Sequence, residues 1–180
     1  MNLSEKMLKK NYVFHGNIIN VRQDMALLPN SNIATRDVVE HKGGVCIVPL
    51  CDNNDVVLVK QFRYPYLQVV TEIPAGKRDS ADEEPLECGK RELNEEIGAT
   101  AKEYTFLGEL YPSPGYCDEV IYMYLATGLT FGDTDLDEDE FLEVERMPLK
   151  KAVDMVLSGE IKDAKTQAAL LKTYYLLQNK

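Results

Sequence analysis

The chain has 180 residues, of which 20 are Lys or Arg and 30 are Asp or Glu, so its formal net charge at pH 7 is −10. An acidic surface repels polyanions, and nucleic acid is therefore not expected as a partner. Apolar residues make up 44% of the sequence, which is enough to form a buried core and argues against a disordered chain.

The distribution of apolar residues and cysteines bears on where the protein works. The longest apolar run, residues 45–51, is too short to span a bilayer, and no signal-peptide core follows the charged opening segment. The four cysteines contain no CxxC pair, and the two histidines lie far from them, so a zinc site is not expected. We expect a soluble protein of the reducing cytoplasm that does not bind membranes.

Residues 11–124 consist mostly of short β-type runs that are broken by turn residues. The composition of residues 53–55 is typical of a hairpin turn between two of these runs. The pattern predicts a mixed or antiparallel sheet. A first hairpin, over residues 11–29, is predicted to belong to an N-terminal β appendage spanning residues 1–35, which leaves one main domain over residues 36–180.

Three helices are predicted. The first covers Pro85–Ile97, with a proline in its first turn and Gly98 as its C-terminal stop. The others cover Leu149–Leu157 and Ala164–Gln178, and Asp163 is placed to cap the last one. The order of elements is a run of strands, one inserted helix, further strands and a terminal pair of helices. This order predicts an α/β fold in which helices cover a mixed sheet.

The first helix carries three glutamates, Glu92, Glu95 and Glu96. Residues three and four apart share a helix face, so these carboxylates converge. A solvated acidic face is the alternative, but the same helix has an apolar stripe that must pack on a core. Arg91 is spaced to orient Glu95 and to leave the other two carboxylates to a metal ion. Oxygen ligands without His or Cys favour Mg²⁺ or Mn²⁺.

The segment from Gly76 to Gly98 resembles the Nudix box, whose pattern is G-x5-E-x7-R-E-U-x-E-E-x-G-U, where U is a bulky aliphatic residue. The match is complete from Glu83 to Gly98. Six residues rather than five separate Gly76 from Glu83, so Asp82 stands where the regular spacing would place the acid. Ala99 replaces the final aliphatic residue.

The resemblance implies a Nudix α/β/α sandwich with a mixed sheet, to which this chain adds a small N-terminal β hairpin. It also implies a metal site. The ligands would be Glu92, Glu96 and the backbone carbonyl of Ala75, with help from Glu95. Bound cations neutralise a diphosphate and activate water. Among the remaining box positions, the resemblance implies that Gly76 contacts the substrate. It implies that Glu83, Arg91 and Gly98 maintain the structure of the box.

Three stretches outside the box resemble the ADP-ribose pyrophosphatase branch of the family. They are residues 61–65 with 72–76, Pro114 at fifteen residues beyond Ala99, and residues 159–166. This likeness implies Mg²⁺-dependent hydrolysis of a nucleoside diphosphate sugar, ADP-ribose, to AMP and ribose 5-phosphate. It also implies a homodimer in which N-terminal strands cross between subunits.

Four residues in or near these stretches are candidates for substrate binding, and each has a structural alternative. Arg63 is suited to binding a phosphate group of the substrate. The alternative is that its side chain lies along the protein surface with its charge in water. Arg36 is a second candidate of this type, although strand arginines often face solvent. Glu72 binds the adenine or a ribose hydroxyl in the resembling enzymes, or here pairs with a nearby Lys. Pro114 marks a substrate loop, or shapes a surface turn.

The acidic segment at residues 135–140 precedes a predicted strand. On composition it is a solvated loop. In the resembling enzymes, however, the acid that deprotonates the attacking water lies on a mobile loop at this place. Glu140 is predicted to be this base, followed by Glu138 and then by Glu95 or Glu83.

Two other functions remain open. The chain could hydrolyse another nucleotide sugar, such as GDP-mannose or ADP-glucose, with an unchanged metal helix. It could also be a non-catalytic nucleotide-binding regulator on a Nudix fold. Turnover of a substrate panel with and without metal separates these possibilities.

Overall fold

A computed structural model describes residues 2–80, 82–136 and 140–179. These residues form two compact units. The first contains the residues up to Gly43 together with Tyr111–Val120, and the second contains Gly44–Leu110 and the residues from Ile121 onward. None of the described helices combines the length and apolar composition that crossing a membrane requires.

The first unit is built on one antiparallel sheet. Its strands are β1 (Lys6–Lys9), β2 (Tyr12–His15), β3 (Ile19–Leu27) and β4 (Ile33–His41). β4 pairs along the whole of β3, while β1 and β2 pair with β3 near its opposite ends. The predicted N-terminal hairpin is present as β2 and β3, and β1 and β4 extend it. The division at residues 1–35 and 36–180 stays a prediction, and residue 35 lies within β4.

The second unit contains the remaining strands. They are β5 (Gly44–Pro49), β6 (Asp55–Arg63), β7 (Gln68–Glu72), β8 (Ala75–Lys77), β9 (Ala99–Thr100), β10 (Glu103–Leu110), β11 (Ile121–Thr127), β12 (Thr130–Phe131) and β13 (Leu142–Pro148). A mixed sheet has the order β10-β11-β5-β8, in which β11 and β5 are parallel. An antiparallel sheet has the order β13-β6-β7, and β12 pairs with β9.

The turn at residues 53–55 does not make the simple hairpin that its composition predicts. The turn is tight, since the Asn54 amide donates to the Cys51 carbonyl at 3.0 Å. The strands that it joins, β5 and β6, nevertheless belong to different sheets and meet at an isolated bridge between Leu50 and Val56. The reason is that both edges of β5 are already paired, with β11 and β8.

The three helices lie at the predicted bounds. They are α1 (Pro85–Ile97), α2 (Leu149–Leu157) and α3 (Ala164–Gln178). α1 ends at Gly98, whose φ of 62° is left-handed and suits glycine. α3 begins where the Asp163 side chain accepts a hydrogen bond from the Thr166 amide at 2.9 Å.

Helices cover both faces of the central strands. Alternate residues of β5 and β6 belong to two different hydrophobic clusters, as expected for strands that are buried on both sides. One cluster contains Cys46, Val48, Val56 and Leu58 with residues of α2 and α3, and the other contains Ile47, Val57 and Val59 with Leu93 and Ile97 of α1. The result is the predicted α/β/α sandwich.

Candidate active site

Helix α1 presents two carboxylates to the interior of the second unit. Glu92 and Glu96 lie one turn apart and are only 9% and 2% exposed. The helix can approach β5 closely because Gly89 has no side chain: a Cβ there would lie 2.9 Å from Ile47 Cδ1. The apolar stripe that packs on β5 therefore also fixes the positions of both glutamates.

Strand β8 holds the backbone of Ala75 and Gly76 against these glutamates. The Ala75 amide donates a hydrogen bond to Glu96 Oε2 at 3.2 Å. A Cβ on Gly76 would overlap the carboxyl group of Glu92. The box glycine is thus required by the close approach of a carboxylate, and the residue predicted to offer its carbonyl to the metal is adjacent to it.

Arg91 contacts three acids, two of them on α1 and one in the loop before it. Its Nη1 lies 2.9 Å from Glu95 Oε2 and 3.0 Å from Glu92 Oε1, and its Nη2 lies 3.6 Å from Glu83 Oε1. The pairing with Glu95 has the predicted i, i+4 spacing. The contact with Glu92 was not expected, since that carboxylate was to be left to the metal.

Glu83 closes the loop that leads into α1. Its carboxylate accepts a hydrogen bond from the Asp79 amide at 2.7 Å, and its carbonyl accepts one from Arg78 Nε at 2.9 Å. Together with the contact to Arg91, these bonds connect the loop to the helix. Glu83 thus has the contacts expected of a residue that maintains the box structure, and its assignment as the box acid stays a prediction.

The buried glutamates have strongly perturbed acidities. Burial raises the pKa of Glu96 to about 9, and the charges of Glu92 and Glu140 add to this effect. Burial also raises the pKa of Glu92 to about 7, even though the neighbouring Arg91 opposes the increase. Carboxylates in such positions hold a proton until positive charge is brought to them. A divalent cation would supply that charge.

The donors present here fit a hard cation. Glu92, Glu96 and the backbone at Ala75 offer only oxygen ligands, as Mg²⁺ and Mn²⁺ prefer. Within the part of the chain that the structure describes, no three Asp, Glu, His or Cys side chains are close enough to hold one ion. Glu95 is turned towards Arg91, so its predicted help as a ligand would require it to leave this partner.

The acidic loop is attached to the C-terminal end of α1. The Gly132 amide donates to the Gly98 carbonyl at 2.7 Å, and the Asp135 amide donates to the Glu95 carbonyl at 3.1 Å. Gly98 also allows this approach sterically, since a Cβ there would lie 2.5 Å from the Gly132 carbonyl oxygen. These contacts bring the start of the loop to α1.

Glu140 lies close to the buried pair. Its negative charge adds to burial in raising the pKa values of both Glu92 and Glu96. It is half-buried, unlike a fully solvated loop residue. Glu138, the second candidate for the base, lies outside the described residues.

Arg63 and Glu72 form a close pair at the ends of β6 and β7. Arg63 Nε lies 2.6 Å from Glu72 Oε1, and its Nη2 lies 2.7 Å from Oε2, so the contact is bidentate. Lys165 of α3 also donates to Glu72 Oε2. Glu72 is buried and pairs with a lysine, as its structural alternative predicted, whereas Arg63 remains partly exposed.

Arg36 and Pro114 lie together in the first unit. Both line a cavity of about 470 Å³, whose wall also includes Tyr111 and Tyr116. Arg36 is half-exposed and pairs with Glu5, with an Nη2–Oε1 distance of 2.7 Å. Two substrate candidates that are far apart in sequence are thus brought to one cavity.

The family model for the NUDIX domain matches residues 40–170 of this chain. The chain belongs to the Nudix family. It is 40% identical to the ADP-ribose pyrophosphatase of Bacillus subtilis (strain 168), over 93% of this chain and 91% of that one. It is 34% identical to the methanol dehydrogenase activator of Bacillus methanolicus, over 92% and 90%. A crystal structure of an ADP compounds hydrolase has the same fold, with a TM-score of 0.86 at 23% identity over 99% and 97% of the two chains.

In this Nudix fold, sequence reasoning missed two residues near the box. Lys165 contacts Glu72, and Thr166 Oγ1 accepts a hydrogen bond from the Ile73 amide at 3.0 Å. Both contacts join residues 93 positions apart. The resemblance of residues 159–166 to other family members was the only signal that pointed to them.

Proposed function

We propose that this protein hydrolyses the pyrophosphate of ADP-ribose to AMP and ribose 5-phosphate in a reaction that depends on Mg²⁺ or Mn²⁺. The observation that carries the proposal is the buried pair Glu92 and Glu96, held against Ala75 and Gly76. The name of the Bacillus subtilis relative supports the choice of substrate.

Glu92 and Glu96 would hold the metal, with the carbonyl of Ala75 and with help from Glu95. A bound divalent cation neutralises the diphosphate and makes a water molecule a better nucleophile. Arg91 keeps Glu95 oriented and, through Glu83, braces the loop before the helix. The box thus combines a rigid scaffold with two carboxylates whose burial favours a cation beside them.

Glu140 is proposed as the general base. It would accept a proton from the attacking water while the water oxygen bonds to phosphorus and the bridging P–O bond breaks. Its support is its closeness to Glu92 and Glu96 and the attachment of its loop to α1.

Arg63 is proposed to bind the diphosphate. A guanidinium that is partly exposed can form charge-assisted hydrogen bonds to phosphate oxygens. Arg36 and Pro114, which line one cavity, are proposed as further substrate contacts, and the backbone at Gly76 as another. Nucleic acid and membranes are not proposed as partners.

A substrate panel tests the proposal. Purified protein is incubated with ADP-ribose, GDP-mannose or ADP-glucose, each with Mg²⁺, with Mn²⁺ or with a chelator, and the products are separated by chromatography. We expect AMP and ribose 5-phosphate from ADP-ribose, in the presence of metal only. Glu96→Gln should lower this turnover by at least about 10²-fold, since a ligand is lost.

Other results would point elsewhere. Faster hydrolysis of GDP-mannose or ADP-glucose would show that this compound, and not ADP-ribose, is the substrate. Nucleotide binding without turnover of any compound would favour a regulator. Near-normal activity of both Glu92→Gln and Glu96→Gln would contradict the metal site.

We further propose a homodimer that forms through the N-terminal sheet. Val13 and Phe14 are 59% and 53% exposed. Both lie on β2, whose pairing with β3 shifts register between Tyr12 and Phe14, and both apolar side chains are largely uncovered. Met7 and Leu8 of β1 are exposed in the same way, and such apolar surface is typical of an interface. Light scattering should give twice the chain mass, and a monomer at micromolar concentration would contradict this.

The cytoplasm is proposed as the compartment. All four cysteines are free thiols, as expected where glutathione keeps thiols reduced. Cell fractionation with an antibody to the protein tests this, and recovery outside the cytoplasmic fraction would contradict it.

A further inference from the structure

A buried carboxylate in the second unit, that of Glu72, is paired with two cationic side chains. The side chain of Glu72 is 3% exposed and contacts both Arg63 and Lys165. Arg63 is the more accessible cation, since its side chain is 38% exposed against 12% for Lys165. One cation of the cluster therefore faces outward, and the other is enclosed.

The charge on Glu72 limits what Arg63 can do. Burial alone would raise the pKa of Glu72, but hydrogen bonds and charges from Arg63 and Lys165 outweigh it, so the pKa is lowered and the group is ionised. A buried ion that loses its partner is strongly destabilising, so Glu72 resists the departure of a cation. With Arg63 as its only cation, Glu72 would hold that arginine firmly.

Lys165 is fixed independently of Arg63. Its Nζ lies 3.1 Å from Asp163 Oδ1 as well as beside Glu72. Next to it, Thr166 Oγ1 accepts a hydrogen bond from the Ile73 amide at 3.0 Å, which joins the first turn of α3 to the residue that follows Glu72. Lys165 therefore remains against Glu72 wherever Arg63 points.

The position of Lys165 is unfavourable for the helix itself. It is the second residue of α3, at the end where the helix dipole is positive and acidic residues are preferred. A lysine at this place is explained by the carboxylate that it contacts rather than by helix stability.

We propose that Lys165 is a positioning residue, the permanent counter-ion of Glu72 that allows Arg63 to leave the pair and bind the diphosphate of the substrate. This inference rests on the proposed function, because it assumes that Arg63 binds substrate. When Arg63 turns outward, Lys165 keeps the buried carboxylate neutralised, and the cost of opening the pair is lowered.

The test separates substrate binding from folding. Lys165→Met removes the charge, Lys165→Gln removes it while keeping a hydrogen-bond donor, and Lys165→Arg keeps it. Lys162→Met is the matched control, since Lys162 is an exposed lysine three residues earlier. For each variant, kcat and KM for ADP-ribose, the Kd of its α,β-methylene analogue and the melting temperature are measured.

Lys165→Met and Lys165→Gln should raise KM and the analogue Kd by about tenfold, with kcat within about threefold of wild type, because Arg63 is retained by Glu72. Lys165→Arg and Lys162→Met should stay within about threefold of wild type in all constants. In a Glu72→Gln background, Lys165→Met should have less than about a threefold further effect on KM, since no buried charge remains to hold Arg63.

Different results overturn different steps. Failure of the wild type to hydrolyse ADP-ribose would refute the proposed function and this inference with it. Normal wild-type turnover with an unchanged KM in both charge-removing variants would refute the inference alone. A fall in kcat and melting temperature without a change in KM, or an equal effect of Lys165→Met in the Glu72→Gln background, would make Lys165 merely structural.

Discussion

Replacing Gly76 by alanine tests whether the position of the Glu92 carboxyl group controls catalysis. The backbone of Gly76 is outside the left-handed region, so alanine is compatible with its conformation. The added methyl group would overlap the Glu92 carboxyl, which must retreat by about 1 Å. A shift of this size in a catalytic group can cost about 10²-fold, or about 2.7 kcal/mol of transition-state stabilisation.

We therefore expect Gly76→Ala to lower kcat by about 10²-fold and to raise the Mg²⁺ concentration needed for half-maximal rate. The melting temperature should stay within about 4 °C of wild type, since the carboxyl lies at the end of a side chain that can move. The assay is ADP-ribose turnover over a Mg²⁺ titration, together with thermal unfolding followed by circular dichroism.

Gly132→Ala is the matched control. A Cβ at Gly132 would lie 3.8 Å from the nearest atom, the carbonyl oxygen of Gly98, so activity and stability should be unchanged. If Gly76→Ala retains normal kcat and a normal Mg²⁺ requirement, the contact between Gly76 and Glu92 does not position a metal ligand. A large loss of stability in Gly76→Ala would equally refute the reasoning.

Three further predictions concern the base, the substrate and pH. Glu140→Gln should preserve metal and substrate affinity but lower kcat by about 10²–10⁴-fold, as is usual for a general base; a loss below about tenfold would place the base elsewhere. Arg63→Ala should mainly raise KM, because a charge-assisted contact made in both ground and transition states adds uniform binding; unchanged kinetics with a lower melting temperature would leave Arg63 as a structural partner of Glu72. Without metal, the unfolding free energy should fall as pH rises from about 5 to 9, because the folded protein binds the Glu96 proton more tightly than the unfolded chain does, burial having raised this pKa to about 9. Denaturant titrations of Glu96→Gln should show a flatter pH dependence, and parallel curves for both proteins would contradict the assignment.

Local patterns in the sequence were sufficient for the helices and for the family. α1 runs from Pro85 to Ile97 as predicted, because a proline at the first position and a left-handed glycine after the last are determined by backbone sterics. The spacing of Glu92 and Glu96 likewise implies a shared helix face, whatever surrounds the helix. Strand pairing was harder to predict from the sequence. The turn at residues 53–55 was recognised, but the pattern did not show that β5 and β6 belong to different sheets.

By itself, the sequence determined the chemistry that the chain can offer: oxygen ligands on one helix face, an arginine spaced to reach Glu95, and a family membership that the NUDIX match bears out. Only the tertiary structure decided that Glu92 lies against Gly76, that Glu140 approaches the buried pair, and that Lys165 shares Glu72 with Arg63. Helix periodicity is set within a few residues by local backbone geometry, whereas these contacts join distant segments. They depend on how strands and helices pack around a common core, which no short stretch of sequence specifies alone.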